Sequence, residues 1–214
     1  MRLNIYQIQT KFRDEIRPVD FNEDVLYAAA DAHVMSIEKV YDDEFLMCEC
    51  YKIVSFLSVF DVHVNRSPMA GEIKYQQYTV GKFVPAFDKE ATFKNERFAM
   101  GLDNGKHKVL VIQVAGLLAR RISNWVSLGA QVEQGERYGM IKFGSSTEVY
   151  VPKAIFEPCV KVGQTVVGGV TVLGRIKKWI ISVLFPIALV PWAWFLALCL
   201  FSRAWKAISS GLPF

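Results

Sequence analysis

The 214-residue chain predicts a mostly β domain followed by a C-terminal hydrophobic segment. Three observations carry this reading. Apolar runs that end in alternation, at 53–64 and again at Lys108–Val114, have the pattern of buried strands. Glycine-punctuated pieces recur, with Val126–Gly135 aligning on Val160–Gly169 at a constant offset of 34 residues (Val126 to Val160). Finally, Trp179–Phe201 contains no charged residue.

Residues 1–24 are polar and loosely patterned. From there to residue 174, aromatic and β-branched residues are plentiful and helical periods scarce, as a sheet-forming chain requires. The Gly-x-x-Val-x-x-Gly repeat is similar to the hairpin halves of a barrel-sandwich-hybrid-like domain. No lysine sits between two hairpin strands in a lipoyl or biotinyl context, which argues against a carrier role. Cys48 and Cys50 alternate on one face of a strand as small apolar groups. The domain is read as 1–174 and the tail as 175–214. The apolar tail run would span roughly 34 Å as a helix, enough for a hydrocarbon core. Basic residues flank it, and it holds Trp179, Trp192 and Trp194. Pro186 and Pro191 would kink it, so a membrane helix and a re-entrant hairpin both stay open.

Composition excludes several functions. A net charge of +4 suits an anionic membrane surface but is too small and scattered for nucleic acid. The four cysteines, Cys48, Cys50, Cys159 and Cys199, match no metal-binding spacing, so no metal site is expected. They fit a reducing cytoplasm. The N-terminal residues lack the apolar core of a signal peptide.

The chemistry concentrates in a few stretches. Phe143-Gly144-Ser145-Ser146-Thr147-Glu148 follows a strand-like run and enters another. Upstream lies Phe56-Leu57-Ser58-Val59-Phe60-Asp61-Val62-His63-Val64-Asn65-Arg66-Ser67-Pro68. Between them come Asn95-Glu96-Arg97 and Gln113-Val114-Ala115-Gly116, then Arg120-Arg121. Phe12-Arg13-Asp14-Glu15-Ile16-Arg17-Pro18 and Ala30-Asp31 precede all of these. In this order they resemble the short prokaryotic phosphatidylserine decarboxylases, over about residues 12–174.

The resemblance implies a proenzyme that cuts itself between Gly144 and Ser145. Ser145 then becomes a covalent pyruvoyl group, the one cofactor the reaction needs. It implies that His63 is the proton-transfer base and that Asp31 orients it, with Ser145 completing a set like a serine-protease triad. A histidine suits that task because it titrates near neutrality. His33 is the alternative base and Ser146 the alternative cleavage serine. Arg120 or Arg121 could hold a phosphodiester, although an ion pair to Glu96 or Glu136 is the simpler reading. Asn65 and Arg66 follow His63 closely enough to line the pocket.

Departures from the family pattern are visible too. Ala29 and Ala32 stand where the family has proline and glycine, and Glu15 where it has proline. The hydrophobic anchor follows the domain instead of preceding it. The implied activity is decarboxylation of phosphatidylserine to phosphatidylethanolamine. It would take place at the inner face of the cell membrane, with both chains staying associated after the cut and a homo-oligomer left open. A decarboxylase of archaetidylserine, or a membrane-tethered β-rich adaptor without chemistry, are the alternatives.

Overall fold

The computed structural model describes residues 17–58, 61–81, 94–116, 121–141 and 145–177. The tail expected to meet the membrane lies outside them. Fourteen strands run through the described residues, so the chain is mostly β, as its patterning predicts.

The first half of the chain supplies β1 (Val25–Tyr27), β2 (Ala32–Asp42), β3 (Cys48–Leu57), β4 (Val64–Arg66), β5 (Gly71–Thr79) and β6 (Arg97–Asp103). The second supplies β7 (Lys108–Val114), β8 (Ile122–Asn124), β9 (Gln131–Val132), β10 (Arg137–Ile141), β11 (Ser145–Pro152), β12 (Phe156–Pro158), β13 (Thr165–Val166) and β14 (Val172–Ile176). Eight of them form one antiparallel sheet in the order β13-β2-β3-β11-β7-β6-β5-β9. Two smaller sheets, β1-β14-β12 and β4-β10-β8, accompany it.

This order is a palindrome of two similar halves, and the glycine repeat falls at matching places in it, in the turns around the edge strands β9 and β13. Gly129 and Gly163 have φ of 83° and 84°, and Gly135 and Gly169 have 78° and 73°. Those left-handed values favour glycine. Each turn then makes the same bonds as its counterpart. Gly129 N–H donates to the Ile73 carbonyl and Gly163 N–H to the Val34 carbonyl, both at 2.8 Å. Gly135 N–H reaches the Ser67 carbonyl and Gly169 N–H the Ala28 carbonyl, again both at 2.8 Å. Val132 and Val166, the repeated valines between these glycines, are buried in the core.

The two faces of the large sheet differ. Val111 and Val149 face the main core, with Ile53 and Leu57 beside them on β3. The other face carries Leu110, Ile112 and Tyr150, with Cys50. Cys48 and Cys50 share that face, with their sulfurs 3.8 Å apart, as alternation on a strand requires. Ala32 avoids the left-handed region that glycine would permit. Among the described non-glycine residues, Met47 alone has positive φ, at 53°. Strand β14 holds Arg175 and the buried Ile176, and Lys177 N–H donates to the Ile155 carbonyl at 2.7 Å. Residues 175–177 therefore pack with the domain, a little beyond the boundary expected at 174.

Candidate active site

Ser145 opens β11, the strand at the middle of the large sheet. Its backbone pairs with Leu57 on β3, and the next residue pairs with Val114 on β7. Its side chain is fully buried, and its hydroxyl oxygen has no hydrogen-bond partner. Buried hydroxyls are nearly always bonded, so an orphan of this kind calls for an explanation. Gly144 lies outside the described residues.

Ser145 and Thr147 share the core-facing side of β11 because strand side chains alternate. Thr147 stands directly opposite Gln113 on β7 and Ser55 on β3. All four are buried, forming a polar patch at one end of an apolar face. Ser146 points to the other side, with Glu148 and Tyr150.

His63 reaches this region by way of β10. Its carbonyl accepts the N–H of Ile141 at 3.1 Å, so it sits at the end of the strand that leads into 142–144. His63 and Ser145 thus flank opposite ends of one three-residue segment. The His63 Nδ1 lies 2.7 Å from the Asp61 carbonyl. A carbonyl can only accept, so Nδ1 carries the hydrogen and Nε2 is the basic nitrogen. Asp61 is itself held by Ser58: Asp61 N–H donates to the Ser58 carbonyl at 2.9 Å, and Ser58 N–H to the Asp61 carboxylate at 2.8 Å. Burial pushes the His63 pKa below its ordinary value, opposed by the Asp61 carbonyl.

Asp31 is held elsewhere. Arg17 grips both its oxygens, Nη1 donating to Oδ1 at 2.5 Å and Nη2 to Oδ2 at 2.8 Å. Gly168 N–H donates to Oδ1 at 2.8 Å. No hydrogen bond joins Asp31 to His63 in this arrangement. His33, the alternative base, is exposed, with Nδ1 2.9 Å from the Thr165 hydroxyl.

Asn65 is fully buried, and its Oδ1 accepts from Gln113 Nε2 at 2.5 Å. Gly139, across from Asn65 on β10, makes room for this contact. A Cβ there would lie 3.1 Å from Gln113 Nε2 and 2.7 Å from the Ser123 carbonyl. Arg66 is buried too, and its Nη1 donates to the Gly135 carbonyl at 3.0 Å. Its stem passes the second glycine turn, where a Cβ on Gly169 would stand 3.1 Å from Arg66 Cδ. Arg66 thus ties the two repeated turns together. Arg121 is exposed and forms no ion pair with Glu96 or Glu136. Glu96 instead accepts from Ile122 N–H at 3.1 Å, and Glu136 from Glu133 N–H at 2.7 Å. Arg120 lies outside the described residues. Among the described residues, no cluster of His, Cys, Asp and Glu could hold a metal ion.

Sequence reasoning missed Gln113, Arg17 and the Asp61 carbonyl as parts of this site. A buried strand whose only polar residue past the exposed Lys108 is Gln113 was the available signal for the first. The other two depend on contacts that no local pattern announces.

A mostly β domain with a buried, unpartnered serine hydroxyl at the start of a central strand and a desolvated histidine is the class of protein the fold and these residues define. Comparison gives the family. The sequence profile described as phosphatidylserine decarboxylase matches residues 7–174, and the chain belongs to that family of enzymes. Similar proteins are named phosphatidylserine decarboxylase proenzyme. That of Symbiobacterium thermophilum is 46% identical over 168 residues, covering 78% of each chain. That of Carboxydothermus hydrogenoformans is 45% identical over 166 residues, again 78% of each. That of Gluconacetobacter diazotrophicus is 43% identical over 170 residues, 77% of this chain and 75% of its own.

Proposed function

We propose that this protein is a self-cutting proenzyme that decarboxylates phosphatidylserine to phosphatidylethanolamine, using a pyruvoyl group made from Ser145. The observation that carries this reading is the unpartnered, fully buried Ser145 hydroxyl at the head of a strand locked on both sides. The relatives' shared name, a proenzyme, supports it. The two glycine-turn halves fit the barrel-sandwich-hybrid type of domain.

Maturation uses groups of this chain alone. The Ser145 hydroxyl attacks the Gly144 carbonyl, and the peptide bond becomes an ester. His63, neutral and with Nε2 basic, is the group to take up the hydroxyl proton, to pass it to the Ser145 nitrogen as the C–N bond breaks, and then, neutral again, to take the Ser145 α-hydrogen. Elimination releases the upstream chain as a carboxylate. The dehydroalanine left behind takes up water and loses ammonia, leaving pyruvoyl. The site fits that group: β11 fixes the backbone on which it forms, and the surrounding patch is polar and buried. A pyruvoyl group supplies an electrophilic ketone and an adjoining carbonyl as an electron sink, the role pyridoxal phosphate fills elsewhere. His63 is also the proton donor to the decarboxylated carbon. Asp31, bound to Arg17 and Gly168, serves as a fixed charge that braces the 168 turn. In the uncut chain its orienting role toward His63 would require exchange of the Arg17 pair.

Ser145 is preferred to Ser146 because it shares a face with Gln113 and Thr147, whereas Ser146 points the other way. The substrate brings the protein to the inner face of the cell membrane, with 178–214 as the anchor. Arg121, exposed and without an ion pair to a carboxylate among the described residues, is available to the phosphodiester.

Intact mass tests the reading. Wild-type protein should yield fragments 1–144 and 145–214, the second with a blocked N-terminus, and Ser145→Ala should stay one chain. Wild-type protein that is active yet uncut would remove the pyruvoyl mechanism. A cut one residue later would move the cofactor to Ser146. Parallel assays on phosphatidylserine and archaetidylserine decide the lipid backbone.

A further inference from the structure

Diagonally across the β7–β11 pairing from Ser145 stands Gln113, one half of a polar couple that packing alone does not explain. Asn65 and Gln113 are both fully buried, and one hydrogen bond joins their amides. That bond leaves Asn65 Nδ2 and Gln113 Oε1 without partners. Swapping oxygen and nitrogen in both amides does not remove the deficit. Each amide has a donor group and an acceptor, so one mutual bond leaves one spare donor and one spare acceptor in either orientation. Two apolar side chains of the same size would fill this space with no buried polar group left unbonded.

The complement of a spare donor plus a spare acceptor is a group that can do both. The Ser145 hydroxyl is such a group, and it is also orphaned. Gln113 stands directly opposite Thr147, and Ser145 is two residues along the same face of β11. Such diagonal neighbours are about 7–8 Å apart at Cα, a span that a glutamine side chain can bridge. Gly139 keeps the space around the Gln113 amide clear of side chain. Asn65 follows His63 by two residues, so the base and the amide couple arrive on the same piece of chain.

We propose that the Asn65–Gln113 couple is a positioning element for Ser145. Its acceptor orients the hydroxyl hydrogen, and its donor supports the oxygen as it turns toward the Gly144 carbonyl and yields its proton to His63. The inference rests on the self-cutting reading above and gives Asn65 and Gln113 a role in it that the reading itself does not assign.

The test follows cutting of freshly synthesised chain by intact mass over time, with thermal melting measured in a Ser145→Ala background so that all variants stay uncut. Asn65→Leu/Gln113→Leu should melt at or above the temperature of the background protein, yet cut at least about tenfold more slowly than wild type. Gln113→Met, which keeps the length and unbranched shape, should also cut slowly and decides the matter if the double variant does not fold. Gln113→Glu, whose acid form keeps a donor and an acceptor when buried, should cut faster than Gln113→Met. Cutting of Gln113→Met, or of a folded double variant, within twofold of wild type overturns the proposal. A double variant that loses stability and cutting together, with Gln113→Met cutting normally, assigns the couple to packing. Wild-type chain that never cuts removes the underlying reading as well, and is recognised because no variant is then slower than another.

Discussion

At the scale of single residues, the environment of His63 decides its chemistry. Burial lowers its pKa from the ordinary value near 6.5, so the ring is neutral at cellular pH, with Nε2 as its basic atom. The sign of the pH effect follows. In the unfolded chain His63 takes a proton as pH falls through about 6.5, while the folded ring stays neutral until a lower pH. This group's contribution to stability is therefore intact above about 6.5, declines as pH falls from there to the folded value, and levels off below it. Self-cutting should hold steady from neutral pH down to about 6.5 and slow at lower pH, followed by intact mass across buffers. An acid limb above that value would show a base other than a desolvated histidine. His63→Ala should block or greatly slow cutting, and Asp31→Asn should impair it less completely. If His33→Ala is the variant that fails while His63→Ala cuts normally, the base is misassigned.

At the scale of elements, β11 carries opposite chemistries on its two faces. The side away from Ser145 holds Glu148, 1% exposed, with Lys52 Nζ 3.2 Å from its Oε2. The Tyr150 hydroxyl donates to the same carboxylate oxygen at 2.9 Å. Burial first, and the Glu148 charge second, push the Tyr150 pKa far up, so that hydroxyl remains a donor. Removing one member of a buried pair strands the other's charge, at a cost of about 3–5 kcal/mol, whereas replacing both can be neutral. Lys52→Met and Glu148→Leu should each destabilise the uncut Ser145→Ala protein by that order in urea melts. The double variant should lie within about 1–2 kcal/mol of the parent. Additive losses would show that the pair is not energetically coupled.

At the scale of the whole molecule, a cut after residue 144 would leave two chains woven through each other. Strand β11 lies between β3 and β7, β13 borders β2, and β14 lies between β1 and β12. All the strands after 144 thus pair with partners before it or with each other, and those hydrogen bonds do not depend on one peptide bond. The cut protein should run as a single species in native sizing and separate only in urea. Deleting 178–214, which spares β14, should give protein that still cuts itself but leaves the membrane fraction. It should then favour detergent-dispersed over bilayer substrate. If the shortened protein stays with membranes as fully as the intact one, the tail is not the anchor.

Much of this was legible in the sequence because it is local. Two-residue periodicity announced the buried strands, and glycine spacing announced paired turns whose bonds match one for one. The motif order pointed to Ser145 and His63. What no local pattern could reveal is who meets whom. Arg17 reaches Asp31 across fourteen positions, and Gly168 reaches it across 137. Gln113 meets Asn65 across 48 positions, from a strand of one sheet to a strand of another. Periodicity and turn chemistry are properties of consecutive residues, so the sequence by itself determined the strand class, the repeated turns and the family. Hydrogen-bond partners depend on strand register and sheet packing, so only the tertiary structure decided that Asp31 pairs with Arg17 and that the Asn65–Gln113 couple keeps a spare donor and a spare acceptor.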